Sequence, residues 1–131
     1  MATISKFEEL DVWQKARDLA KRVYSLTKEG SFAKDFALRD QINRSSGSAM
    51  DNIAEGFGRE GKQEFIQFLA IAKGSVEETR SQIHRAFDRS HIGENEYQEL
   101  LKEAEEVGRK LHNFIDYLKN SDHKGNKYNK K

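Results

Sequence analysis

The stretch Asn52-Ile53-Ala54-Glu55-Gly56-Phe57-Gly58-Arg59 decides how this chain is read, because one apolar helical pattern runs into it and stops, and another begins at Lys62. Glycine enters the left-handed backbone region at little cost, so Gly56 and Gly58 are predicted to close one helix and reverse the chain. Glu55 falls in the last turn, at the negative end of the macrodipole. It is predicted either to be shared with the positive start of the next helix or to pair with Arg59. Asn52, Glu55, Gly56, Gly58 and Arg59 thus form a structural motif. The run Gly56-Phe57-Gly58-Arg59-Glu60-Gly61 also spells Gly-x-Gly-x-x-Gly, but between two helical patterns and without the preceding strand that gives a phosphate loop its meaning. The match is read as chance.

On the N-terminal side, a second helical segment is expected from about Ser31, as N-cap, to Glu55, with Asp35 in its first turns. Leu38, Ile42, Ser45, Ala49 and Ile53 make its inner face. The centre of that face, Ser45-Ser46-Gly47-Ser48, is small and hydroxylated, which suits close approach of a neighbouring helix and back-bonding of hydroxyls to the helix's own carbonyls. Before it lies a first segment, about Glu8 to Lys28, with Val12, Trp13, Ala16, Leu19, Ala20, Val23 and Thr27 on one stripe. Trp13 is predicted to pack in the core or at its rim.

On the C-terminal side, the third segment runs from about Lys62 to Arg89 and is roughly 40 Å long at 1.5 Å per residue. Phe65, Phe68, Leu69, Ala72, Val76, Thr79, Ile83, Ala86 and Phe87 face a core. The far side carries Ala70, Gly74 and Ser81, flanked by Ile66 and Ile71. An exposed helix normally carries Lys, Glu and Gln, and an interior glycine costs about 1 kcal/mol relative to alanine. Ile66, Ala70, Ile71, Gly74 and Ser81 are therefore predicted to form an interface between copies of the chain. The break His91-Ile92-Gly93 leads to a fourth segment, about Glu94 to Lys119, with Tyr97, Leu100, Leu101, Ala104, Val107, Leu111, Phe114, Ile115 and Leu118 on one face. Glu105 with Arg109 and Glu106 with Lys110 stand at the spacing of ion pairs along its polar face.

Four amphipathic segments with short breaks and no strand pattern predict an all-α protein, an antiparallel up-and-down four-helix bundle over residues 1–119. Residues 120–131 have few apolar groups and are predicted to be a disordered basic tail. The 131 residues fit one domain and contain no cysteine and no proline, which excludes disulfides, thiolate metal sites and cysteine nucleophiles. No signal peptide or membrane span is apparent, so the expected location is the cytoplasm.

The formal net charge is +1. Lys124, Lys127, Lys130 and Lys131 against Asp122 leave the tail basic and the rest slightly acidic. Di-iron bundle chemistry requires two Glu-x-x-His pairs. Asp88 ahead of His91 is the one carboxylate with that spacing, so no metal, cofactor or catalytic residue is predicted. The feature relevant to nucleic acid is Arg80, His84, Arg85 and Arg89 on the third segment, with the tail lysines. Arg80, Arg85, Arg89, Lys124, Lys127, Lys130 and Lys131 are the predicted phosphate contacts, and their effect would multiply if copies assemble. The competing expectation is that the arginines pair with Glu77, Glu78 and Asp88 and only solubilise the surface.

With these motifs in place, the chain resembles the 23S rRNA-intervening sequence protein family from Leu10 to Lys119. The resemblance rests on Val12-Trp13-Gln14-Lys15-Ala16, Leu38 with Gln41-Ile42, Asn52-Ile53-Ala54-Glu55-Gly56 with Arg59, Glu64-Phe65-Ile66, Phe68-Leu69 and Ala72-Lys73-Gly74-Ser75. It departs in having no proline before the second helix, Ala49-Met50-Asp51 before the Asn-Ile motif, and Gly61 where a serine would cap. The resemblance implies a homopentameric four-helix bundle without catalytic activity, similar in fold to the accessory proteins of diversity-generating retroelements, which bind nucleic acid and a reverse transcriptase. The expected function is a non-enzymatic adaptor associated with RNA. The alternative is a scaffold for a protein partner with no nucleic-acid role.

Overall fold

The computed structural model describes residues 3–121, all but a few turns of which are helical. After a 3-10 turn at Phe7–Glu9 come five α-helices: α1 (Asp11–Thr27), α2 (Gly30–Lys34), α3 (Phe36–Phe57), α4 (Lys62–Asp88) and α5 (Glu94–Lys119). The four long helices close a ring in which α1 packs on α3 and α5, and α4 on α3 and α5. The expected stripes meet in one core, from Ala16, Leu19 and Val23 of α1 through Ile42, Ile53, Leu69, Val76 and Ile83 to Leu100 and Leu111 of α5. Burial of a side chain of this size contributes about 1.5–3 kcal/mol, so the core is the main source of stability. Trp13 lies at its rim, edge-on to Phe7.

Three local expectations need correction. The predicted second helix is two helices, because the chain leaves the helical region at Asp35 (φ −86°, ψ 77°), whose carboxylate caps α3 by accepting from Leu38 N at 3.3 Å. Ser31 is therefore inside α2, and Asp35 is the cap. An aspartate satisfies an orphan amide and restarts a helix after a short break, which periodicity alone does not locate. Similarly, the first long helix starts at Asp11 after an extended Leu10, and Glu8 belongs to the preceding turn.

Neither Gly56 nor Gly58 is left-handed. Gly58 has φ −74°, and Gly56 lies within α3. The reason for Gly56 is space, since a Cβ there would stand 2.6 Å from Phe68 Cβ. The left-handed closure occurs instead at the end of α4, where Ser90 has φ 62°. His91 N donates to Ala86 O at 2.9 Å and Ser90 N to Phe87 O at 2.9 Å, a Schellman closure with serine where glycine is usual.

The third correction concerns α5. Its Glu105 and Lys110 bind other helices, Glu105 reaching Arg80 at 3.3 Å and Lys110 reaching Asp11 at 2.7 Å. Arg22 of α1 likewise bridges Glu99 and Glu103. These pairs fasten neighbouring helices, although exposed pairs contribute only about 0–1 kcal/mol each.

Candidate functional site

The seam between α3 and α4 is polar at its centre. Ser45 Oγ lies 2.8 Å from Thr79 Oγ1 and donates to Gln82 Oε1 at 2.6 Å, Ser48 Oγ meets Ser75 Oγ at 3.0 Å, and Asn52 Nδ2 donates to Ser48 O and Oγ at 2.8 and 3.0 Å. The expected back-bonding is also present, Ser46 Oγ donating to Ile42 O at 2.8 Å. Every hydroxyl here has a partner, so burying it carries no unsatisfied group. At the end of the seam Glu55 pairs with Arg59 at 2.8 Å, one of the two arrangements expected, and Arg59 also stacks over Phe68.

The opposite side of α4 has no such partners. Ala70, Gly74 and Ser81 are exposed, Ile71 is 52 % exposed, and a Cβ at Gly74 would meet nothing within 4 Å. Ile66 differs from the other predicted interface residues: it is buried, and with Ala70, Gly74 and Ile115 it lines a shallow groove between α4 and α5. Its place on the wheel puts it on the flank that α5 covers, so it belongs to the wall of that groove.

The basic residues of α4 do not form one patch. Arg80 and His84 turn towards α5: Arg80 binds Glu77 at 2.9 Å and Glu105, and His84 Nδ1 lies 2.7 Å from Tyr97 OH. The hydrogen bond to Glu77 is the main cause of a raised Arg80 pKa, burial opposing it. Arg85 and Arg89 turn towards α3, where Arg85 donates to Gln41 Oε1 at 2.6 Å and Arg89 to Asp35 Oδ2 at 2.9 Å. Arg89 thus reaches Asp35, the cap of α3, which is not among the acids Glu77, Glu78 and Asp88 expected to pair with the arginines. Lys124, Lys127, Lys130 and Lys131, and with them most of the predicted tail, lie outside the described residues. Of the tail's first residues, Ser121 O accepts from Lys62 Nζ at 2.7 Å.

A polar cluster that periodicity does not reveal ties α2, α3 and the α4–α5 connection together. Ser31 Oγ is 2.8 Å from His91 Nδ1, and His91 Nε2 is 2.8 Å from Asp35 Oδ2, the oxygen that Arg89 also binds. The ionised carboxylate can only accept, so Nε2 carries the hydrogen. The hydrogen bond from His91, then that from Arg89, hold the Asp35 carboxyl at about 2, below its usual 3.8. The imidazole also stacks on Phe32, with centroids 5.0 Å apart. The bonds run in the order Ser, His, Asp, yet face-on packing of the ring and the arginine on the same oxygen make the cluster a clasp. Its sequence signal was Asp35 three residues before an apolar Leu38, the spacing of a cap.

Among the described residues no group of three His, Asp or Glu side chains could hold a metal ion, and no helix is long and apolar enough to cross a membrane. A crystal structure of a protein of unknown function from the S23 ribosomal protein family of Bacteroides thetaiotaomicron VPI-5482 has the same fold, with a TM-score of 0.73 and 25 % identity, over 79 % of this chain and 97 % of that one. No curated protein matches the sequence. The profile of the 23S rRNA-intervening sequence proteins matches residues 8–113, over the same helices whose packing has just been described. On that match the chain belongs to the 23S rRNA-intervening sequence protein family.

Proposed function

We propose that this protein is a non-enzymatic adaptor of the cytoplasm, an antiparallel up-and-down four-helix bundle that assembles as a homopentamer and associates with RNA. The observation that carries assembly is the outer side of α4, where Ala70, Ile71, Gly74 and Ser81 lie open in a single copy. A face of small and apolar groups is covered at little steric cost by another helix. The antiparallel course of α3 and α4 is supported by their partners, since Gln41, Ser45, Ser48 and Gly56 meet Arg85, Thr79, Ser75 and Phe68 in descending order.

For RNA the support is a repeated basic surface. Arg85 has a neutral hydrogen-bond partner in Gln41 and keeps its charge uncompensated there, and assembly would repeat it with the tail lysines around a ring. Such contacts position a phosphate backbone without reading its sequence. A specific observation favours the second reading, a scaffold for a protein partner: Arg80 and Arg89 are already held by carboxylates.

Two measurements test these readings. Light scattering should give a mass of several copies, and Gly74→Arg should lower it without loss of helicity; an unchanged mass would count against the placement of the interface. Titration of a labelled RNA hairpin at two salt concentrations should show binding that weakens steeply with salt. Absence of binding at low salt would leave the scaffold.

A further inference from the structure

The seam between α1 and α3 on the outside of the bundle carries a pattern absent from the basic group of α4. Tyr24 is 57 % exposed and Phe36 64 %, and each has a cation against its ring, Lys28 at 5.0 Å and Arg39 at 4.9 Å from the centroids. Arg17 lies over Trp13 at 5.6 Å, on the same stripe of α1 and two turns before Tyr24. The two exposed rings share one stretch of surface. Asn43 Nδ2 donates to Thr27 Oγ1 at 2.9 Å, fixing where α1 and α3 meet. Phe36 lies seven residues before Asn43 on the same stripe, and Tyr24 one turn before Thr27. At 1.5 Å per residue the rings are separated by roughly 15 Å along the seam.

We infer that this face is a stacking platform for single-stranded nucleic acid, with Tyr24 and Phe36 receiving bases, Lys28 and Arg39 meeting the phosphates between them and Arg17 those beyond Tyr24. Solvent-facing rings of this size cost free energy in water. Single-strand sites combine aromatic rings with a positive track because every base has a π-face, and a guanidinium on a ring offers its own plane for stacking. The face keeps a positive excess, although Asp40 takes Arg39 Nε at 3.0 Å. It is also clear of the proposed interface, because α1 packs on α3 and α5 and lies across the ring from α4. Assembly through α4 would leave it outermost in every copy.

This inference rests on the RNA-adaptor reading and assigns it a surface and a strand form. The test uses the full chain and fluorescence anisotropy of a 5′-labelled 12-nucleotide oligouridylate, with a labelled RNA hairpin alongside. Tyr24→Ala with Phe36→Ala should weaken oligouridylate binding by roughly tenfold or more. Tyr24→Phe with Phe36→Tyr, which keeps both rings, should stay within about twofold. Comparable binding of oligothymidylate would extend the assignment to single strands of either sugar. Undiminished binding by the alanine pair, at wild-type melting temperature, overturns the inference and leaves the adaptor reading intact. So does a wild-type chain that binds the hairpin but not the oligonucleotide. A wild-type chain that binds neither RNA overturns both, and binding of polyglutamate in their place would mark the face as a site for acidic protein.

Discussion

The two long sides of α4 are both built from small residues, and they meet opposite surroundings. Towards α3, Ser75 and Thr79 interlock with Ser48 and Ser45, and Gly56 lets the backbones come together against Phe68. Away from α3, Ala70, Gly74 and Ser81 are just as small but exposed, and Ala70 and Gly74 border the shallow groove towards α5 without being covered. A small residue states that a helix can be approached closely, without saying which helix will do so. At Gly56 the cost of an interior glycine is offset by a fit no larger residue could make. At Gly74 nothing within the single chain offsets it.

The largest test of this contrast is Gly56→Leu. The added side chain must displace Phe68, and overpacking of this kind should cost about 3 kcal/mol or more, read as a lower urea midpoint. A midpoint within error of wild type would show that the seam is looser than the packing implies. Thr79→Val keeps the shape but takes a hydrogen-bond partner from Ser45 Oγ and from Ser75 O in a buried place. It should cost about 1–2 kcal/mol by the same measurement.

A third test acts on the end of the α3–α4 seam, where Asp35 holds Arg89 and His91. Its folded pKa of about 2 lies below the ordinary 3.8. The unfolded chain therefore takes up this proton first as pH falls, so the contribution is complete above about 4 and lost as pH drops towards 2. Melting temperature should fall through that window in the wild type and less steeply in Asp35→Asn, which retains a capping oxygen. Equal slopes for the two proteins would remove Asp35 from the acid response. The smallest effect is expected at Gly74→Ala, where the new methyl meets open space and a better helix former replaces glycine. In dilute protein it should raise stability by up to about 1 kcal/mol. A loss of stability would mean that another helix already covers that face.

Much of the fold is legible in the sequence. The stripes of α1, α4 and α5 were read correctly because a helix must bury whatever repeats near every 3.6 residues, and Val23, Leu69 and Leu111 are indeed in the core. The bounds of the third and fourth predicted segments agree with α4 and α5 to within a residue. The polar contacts were less legible. Glu55 with Arg59 and Ser46 with Ile42 lie within one or two turns and could be anticipated. The Ser45–Thr79 contact spans 34 positions and the Asp35–His91 contact 56, and nothing local marks either pair. The candidate basic site was likewise visible as residue types, while its division between the α5 and α3 sides of α4 was not.

What the amino-acid order determined by itself is the helical class, the faces that must be buried and the membership that the Asn-Ile-Ala-Glu-Gly motif signals, because each depends on periodicity or on residues adjacent in the chain. Only the tertiary structure decided that Asp35 interrupts the second segment, that Gly56 serves proximity where a left-handed turn was expected, and that the ions of α5 bind across helices. The physical reason is axial register. Helical period says which side of each rod is apolar, but the offset between rods is set by how all the side chains pack at once, and every contact between distant residues depends on that offset.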